Sequence, residues 1–211
     1  MEEVVWTKEY KIERYKKMNK SAQKGSVLFA GSSLMEMFPV EKFAQEDNLP
    51  LIVYNRGVGG FITDELIQNI DTCILDLAPS KLFLNIGTND LSDSSRTISA
   101  IMENYSAIIE TVVRTLPQTK IYLMAYYPVN YEAASPEMKD CLKIRNNEKI
   151  SLANAEVRQL AERFGAKYID VNAPLKDKNG NLRAEFTIEG MHINEEGYRA
   201  VYPLIKPFIL E

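Results

Sequence analysis

Histidine occurs once in this chain, at His192, and cysteine twice, at Cys73 and Cys141. So few ligands exclude the His/Cys clusters that hold metal ions, and two cysteines without a CxxC spacing make no disulfide framework. No metal is therefore expected. Both cysteines lie in apolar-patterned segments and read as reduced core or near-core thiols. Long apolar runs are also missing, since no window reaches the roughly 18 residues a membrane span needs. The N-terminus, MEEVVWTKEYKIERYKK, has no positive region followed by an apolar stretch, so no secretory signal is expected. Reduced thiols and the missing signal point to the cytoplasm. An excess of positive charge is absent too, with 25 Lys+Arg against 29 Asp+Glu and a formal net charge of -4. Such a chain is a poor partner for nucleic acid. Its one lysine-rich stretch, Lys11 to Lys20, is interrupted by Glu13 and reads as a solvated helix face.

Repeats, low-complexity tracts and Pro/Gly/Ser linkers are lacking as well. With 211 residues and 45% hydrophobic composition, the chain reads as one α/β domain over 1–211 with a sizeable core. What is present is alternation. Short, nearly all-apolar runs predict strands at Ser26–Ala30, Leu51–Asn55, Lys81–Ile86, Lys120–Tyr126 and Lys167–Val171, each covered on both faces. Between them, apolar residues at helical spacing predict helices over Thr63–Leu77, Thr97–Leu116 and Asn147–Phe164, the last capped by Gly165. A final helix is expected after the N-cap Asn194, running toward Phe208 with a disturbance at Pro203. A polar N-terminal helix over Thr7–Lys20 either packs on the domain or contributes to a homo-oligomer. This pattern predicts a parallel sheet with helices on both faces and its chemistry in the loops after the strands.

Three of the five strand ends carry glycine with a small polar residue. Gly31-Ser32-Ser33 follows the first strand, Asn55-Arg56-Gly57-Val58-Gly59-Gly60 the second, and Gly87-Thr88-Asn89-Asp90 the third. Glu189-Gly190-Met191-His192 comes far downstream. Each alone has a bland reading as a turn or cap. The Asn55–Gly60 stretch also reads as a phosphate cradle, but neither GxGxxG nor GxxxxGK[ST] occurs, so a flavodoxin-like nucleotide binder is the weaker alternative. Together the four segments hold what ester hydrolysis requires. A serine hydroxyl needs a base to take its proton, the base needs a carboxylate, and the developing oxyanion needs aimed N–H donors. Ser33, His192, Glu189, Gly60 and Asn89 meet those needs.

In their order and at matching strand ends, these four segments resemble the blocks of the SGNH hydrolases, the GDSL-type esterases and lipases. The resemblance spans about Ser26 to Tyr198. It implies a flavodoxin-like three-layer α/β/α sandwich with a five-stranded parallel sheet in strand order 2-1-3-4-5. It further implies hydrolysis of acyl esters without metal or organic cofactor, with Ser33 as nucleophile and His192 as base. The oxyanion donors would be the amides of Ser33 and Gly60 and the side chain of Asn89.

Two positions depart from the family pattern. Ser32 stands where aspartate is usual, which places two serines side by side; motif position assigns the attack to Ser33. Glu189 replaces the triad aspartate, with Asp170 or Asp177 as fallback carboxylates. The segment Tyr126–Tyr131 reads equally as a substrate wall, with Tyr127 and Asn130 as candidate binding residues, or as loop packing. Arg56 and Arg145 read as surface arginines, with contact to an anionic substrate as the alternative. The expected substrate is a small ester with a short acyl chain, acetyl foremost, on a carbohydrate. A lysophospholipase, a thioesterase, a hydrolase of acetylated phospholipids, an acyltransferase and an inactive binding protein are the other readings.

Overall fold

A computed structural model describes residues 6–211. Five strands, β1 (Val27–Gly31), β2 (Val53–Gly57), β3 (Lys81–Asn85), β4 (Lys120–Met124) and β5 (Lys167–Ile169), form one parallel sheet in the order β2-β1-β3-β4-β5. Successive side chains of a strand point to opposite faces, so each strand feeds two cores. On one face, Leu28, Ala30, Leu82, Leu84 and Leu123 meet α1 (Lys8–Asn19), α4 (Thr63–Gln68), α5 (Ile70–Cys73), α6 (Ile98–Thr115), α7 (Pro136–Ile144) and α8 (Asn147–Phe164). On the other, Val27, Phe29, Phe83 and Tyr122 meet α2 (Ser33–Glu36), α3 (Val40–Glu46) and α9 (Glu195–Leu210). Across that face Phe29, Phe83 and Tyr122 stack on neighbouring strands, with centroids 4.5 and 4.6 Å apart.

The helices start where their caps are. Thr7, Thr97, Asn146 and Asn194 each accept the third amide of the helix that follows, which satisfies a donor the helix itself cannot. Gly165 ends α8 in the left-handed conformation. The N-terminal helix packs on the domain. Ile12 and Tyr15 are buried, and the Tyr15 hydroxyl donates to the Gly57 carbonyl at 2.7 Å.

Several boundaries differ from the sequence pattern. The second strand is displaced toward the glycine loop, leaving Leu51 and Ile52 exposed, because pairing with β1 runs to Gly31↔Gly57. The fourth strand stops at Met124. Beyond it the Asn154 amide takes the Tyr126 N–H and both Asn154 and Asn172 donate to its carbonyl, so side chains replace the ladder. The fifth ends at Ile169. The segment Thr63–Leu77 is not one helix. It breaks at Asn69, whose side chain donates to the Glu65 carbonyl, and again at Ile74, before a 3₁₀ turn over Leu75–Leu77. The disturbance at Pro203 does not interrupt α9, which runs through Pro203 and Pro207. Both prolines are exposed, so water can satisfy the carbonyls they leave open.

Candidate active site

The carboxyl ends of β1, β2 and β3 lie side by side, which brings the turns after them together. Ser32 is extended and Ser33 opens α2. The Ser33 Oγ lies 2.9 Å from His192 Nε2, and His192 Nδ1 lies 2.6 Å from Glu189 Oε1. With the ring proton on Nδ1 donated to the carboxylate, Nε2 is the acceptor for the serine hydroxyl. The extra methylene of Glu189 lets the same oxygen cap its own loop, accepting the His192 amide at 3.1 Å. Both side chains are partly shielded, at 26% and 19% exposure.

The loop that carries them is braced from three sides. Thr187 Oγ1 accepts the Gly190 amide and donates to the His192 carbonyl, while the Ile188 amide donates to that same carbonyl. Asn130 and Ser135 donate their amides to the Gly190 and Glu189 carbonyls. Gly190 has φ +96, and a Cβ there would sit 2.7 Å from the Asn130 carbonyl oxygen, so only glycine fits between the two loops.

Of the expected oxyanion donors, the Ser33 amide lies on the nucleophile turn and Gly60 and Asn89 lie on the other two turns. Gly60 is exposed with φ +79. Neither its amide nor that of Ser33 is taken by another backbone group among the described residues. One Asn89 Nδ2 proton goes to the Phe61 carbonyl at 2.9 Å, which ties the amide turn to the residue after Gly60 and leaves the second proton available. Asp90 is buried. It accepts from the amide and hydroxyl of Thr63 and from Arg96, locking the Gly60 loop to the amide turn. Glu36, three residues after Ser33, accepts the Gly59 amide at 2.5 Å and pairs with Lys11 of α1. Neither role was visible in the sequence, because each joins segments far apart in the chain.

Other expected residues lie elsewhere. Ser32 is fully buried, with its Oγ 3.3 Å from Thr88 Oγ1, and does not touch His192. Asp170 and Asp177 cap their own turns through the amides of Asn172, Asn179 and Asn181. Tyr127 and Asn130 do not form a cleft wall. The Tyr127 ring packs against Tyr198 in the core, where burial raises its hydroxyl well above the usual range. Asn130 donates to the Leu182 carbonyl and accepts from Ala133. Asn130 thus holds the 172–182 stretch, and Tyr127 is buried in the core that also contains Leu175 and Leu182. Arg56 and Arg145 are not surface arginines. Arg56 lies under α1, bonded to Asn19 and stacked on Tyr15 and Tyr54, and Arg145 is buried beneath the amide turn. Among the described residues no cluster of three His, Cys, Asp or Glu side chains could hold a metal ion, and no helix is long and apolar enough to cross a membrane.

The sequence profile of the GDSL-like Lipase/Acylhydrolase family matches residues 35–200. The chain belongs to this family. It is accordingly a carboxylic ester hydrolase. The matched span of this GDSL-like acylhydrolase contains Gly60, Asn89, Glu189 and His192 and begins just after Ser33. The alpha2 subunit of platelet-activating factor acetylhydrolase IB from Rattus norvegicus is 22% identical over 186 residues, which cover 88% of this chain and 76% of that protein. A solved chain from Streptococcus pneumonia, whose proposed assignment is platelet activating factor, is 31% identical with a TM-score of 0.84, over 96% of this chain and 92% of that one. An acetylxylan esterase from Geobacillus stearothermophilus, solved as a catalytic mutant, has a TM-score of 0.68 at 15% identity, over 89% of this chain and 95% of that one, a likeness of fold.

Proposed function

We propose that the protein hydrolyses short-chain acyl esters, acetyl esters foremost, through Ser33, His192 and Glu189. The observation that carries this reading is the unbroken contact from Ser33 Oγ to His192 to the Glu189 carboxylate. His192 Nε2 takes the Ser33 proton as Oγ bonds to the ester carbonyl carbon, and the carbonyl electrons move onto oxygen. The amides of Ser33 and Gly60 and the Asn89 side chain face that oxyanion. Collapse expels the alcohol, which leaves with the proton from Nε2. Water then repeats the sequence on the acyl-serine and releases the acid. Glu189 holds the ring and offsets the imidazolium charge throughout.

The names of two similar proteins, an acetylhydrolase and an acetylxylan esterase, favour the acetyl group. They differ in what carries the acetyl group, platelet-activating factor in one and xylan in the other; the carbohydrate is the alcohol proposed here. The test is kcat/KM on p-nitrophenyl acetate, butyrate and octanoate, followed by acetylated xylan and an acetylated glycerophospholipid. Acetate is expected to exceed octanoate by about tenfold or more, with acetate released from xylan. Equal or higher turnover of octanoate overturns the short-chain reading, and acetate release from the phospholipid alone overturns the carbohydrate reading. In the same assay Asn89→Ala is expected to lower kcat by about 10²–10³-fold, as for other single oxyanion donors. A negligible loss removes Asn89 from that role.

A further inference from the structure

The proposed hydrolysis leaves unused a buried cation beneath the site. Arg145 follows α7 directly and is 2% exposed. Its Nη1 donates to the Thr88 carbonyl at 3.0 Å, and its Nε is enclosed without a partner. Thr88 precedes Asn89, and the Thr88 hydroxyl meets that of Ser32, which precedes Ser33. At the start of α7, the Ser135 amide donates to the Glu189 carbonyl at 3.2 Å. α7 thus meets the acid loop at its start, while at its end the guanidinium holds the amide turn, which meets the nucleophile turn through Thr88 and Ser32.

Burial pulls Arg145 down to about 10, so it is a cation at neutral pH; Cys141 of α7 and Glu189 of the acid loop oppose that fall. The other charges nearby are committed elsewhere. Lys149 of α8 donates to the Leu91 carbonyl, and Asp90 is held by Arg96. A buried charge with no carboxylate in hydrogen-bond contact is costly, and an apolar side chain of similar length would fill the space more cheaply. The charge therefore calls for a use at the site.

We infer that Arg145 is a positioning residue for the hydrolysis, fixing the Thr88 carbonyl and with it Asn89. This rests on the ester-hydrolase reading of Ser33 and His192.

The test uses Arg145→Lys, which keeps the charge but loses the planar fork, and Arg145→Met, which loses both. Arg145→Gln replaces the methionine variant if that one does not fold. kcat for p-nitrophenyl acetate should fall about tenfold or more in the neutral variant while KM stays within about twofold, since Asn89 acts on the oxyanion rather than on the bound ester. The lysine variant, which can still donate to the Thr88 carbonyl, should recover part of that loss. A hydrolytically active wild type whose kcat is unchanged in the folded neutral variant, or whose loss lies in KM alone, overturns this inference alone. A wild type without Ser33-dependent hydrolysis overturns the reading of the site and this inference with it.

Discussion

His192→Ala is expected to lower kcat for p-nitrophenyl acetate by about 10⁴–10⁶-fold, and Ser33→Ala by a similar factor. The two side chains act as a unit. Without the imidazole, the Ser33 hydroxyl has no acceptor at 2.9 Å for its proton, and without the hydroxyl the imidazole has no nucleophile to activate. The double variant should therefore lose little more than either single one, because residues of one reacting unit are not additive. Both sites are partly exposed, so neither truncation should unfold the protein, and circular dichroism checks that. Ser32→Ala is the control for the adjacent serine. Its Oγ meets Thr88 rather than His192, so the burst of p-nitrophenol that marks acyl-enzyme formation should persist in Ser32→Ala and vanish in Ser33→Ala. A burst that follows Ser32 instead transfers the attack to the neighbouring turn position.

Glu189→Gln is expected to cost about 10³–10⁴-fold in kcat. The carboxylate accepts from both the ring Nδ1 and the backbone amide of His192. An amide of the same length keeps the volume but removes the charge that offsets the imidazolium. It also brings an NH₂ group that can face Nδ1 and favour the wrong tautomer. Glu189→Asp should fall between wild type and Glu189→Gln. The charge survives, but the shorter side chain must reach two donors placed for glutamate. Asp170→Asn and Asp177→Asn should leave turnover near wild type, because those carboxylates hold turns of their own. If Asp170→Asn instead abolishes turnover while Glu189→Gln spares it, the carboxylate role moves to Asp170.

The layered architecture was legible because it rests on local signals. Each buried strand is a short apolar run, each long helix has an apolar stripe at its own period, and Asn194 and Gly165 mark helix ends by side-chain or backbone chemistry close in sequence. Where competition came from side chains distant in sequence, the pattern misled. The Tyr126 backbone is claimed by Asn154 and Asn172 rather than by a strand, and no periodicity within residues 120–126 records that. Pro203 had the opposite fate. Its missing N–H is a local fact, but its exposure on α9 depends on which face the sheet covers.

Burial of single polar residues was the least legible feature. Tyr127 and Asn130 lie on a loop at the end of the sheet where ligands bind in such folds, yet Tyr127 packs on Tyr198 in the core and Asn130 holds Leu182, and both are contacts between distant segments. Arg56 and Arg145 were expected at the surface because arginine usually is. Their burial follows from α1 and the loop packing over them.

The sequence by itself determined the chemical inventory: one histidine, the serine pair after the first strand, an asparagine in the third strand-end turn and a glutamate three residues before the histidine. It also determined the parallel sheet and its helical layers, since apolar period and caps act over a few residues. Only the tertiary structure decided which serine meets His192, which carboxylate meets its other nitrogen, and which buried charges brace the turns. Those choices turn on distances of about 3 Å between groups as much as 159 positions apart in the chain. Such distances come from the packing of both sheet faces, which no local run of residues encodes.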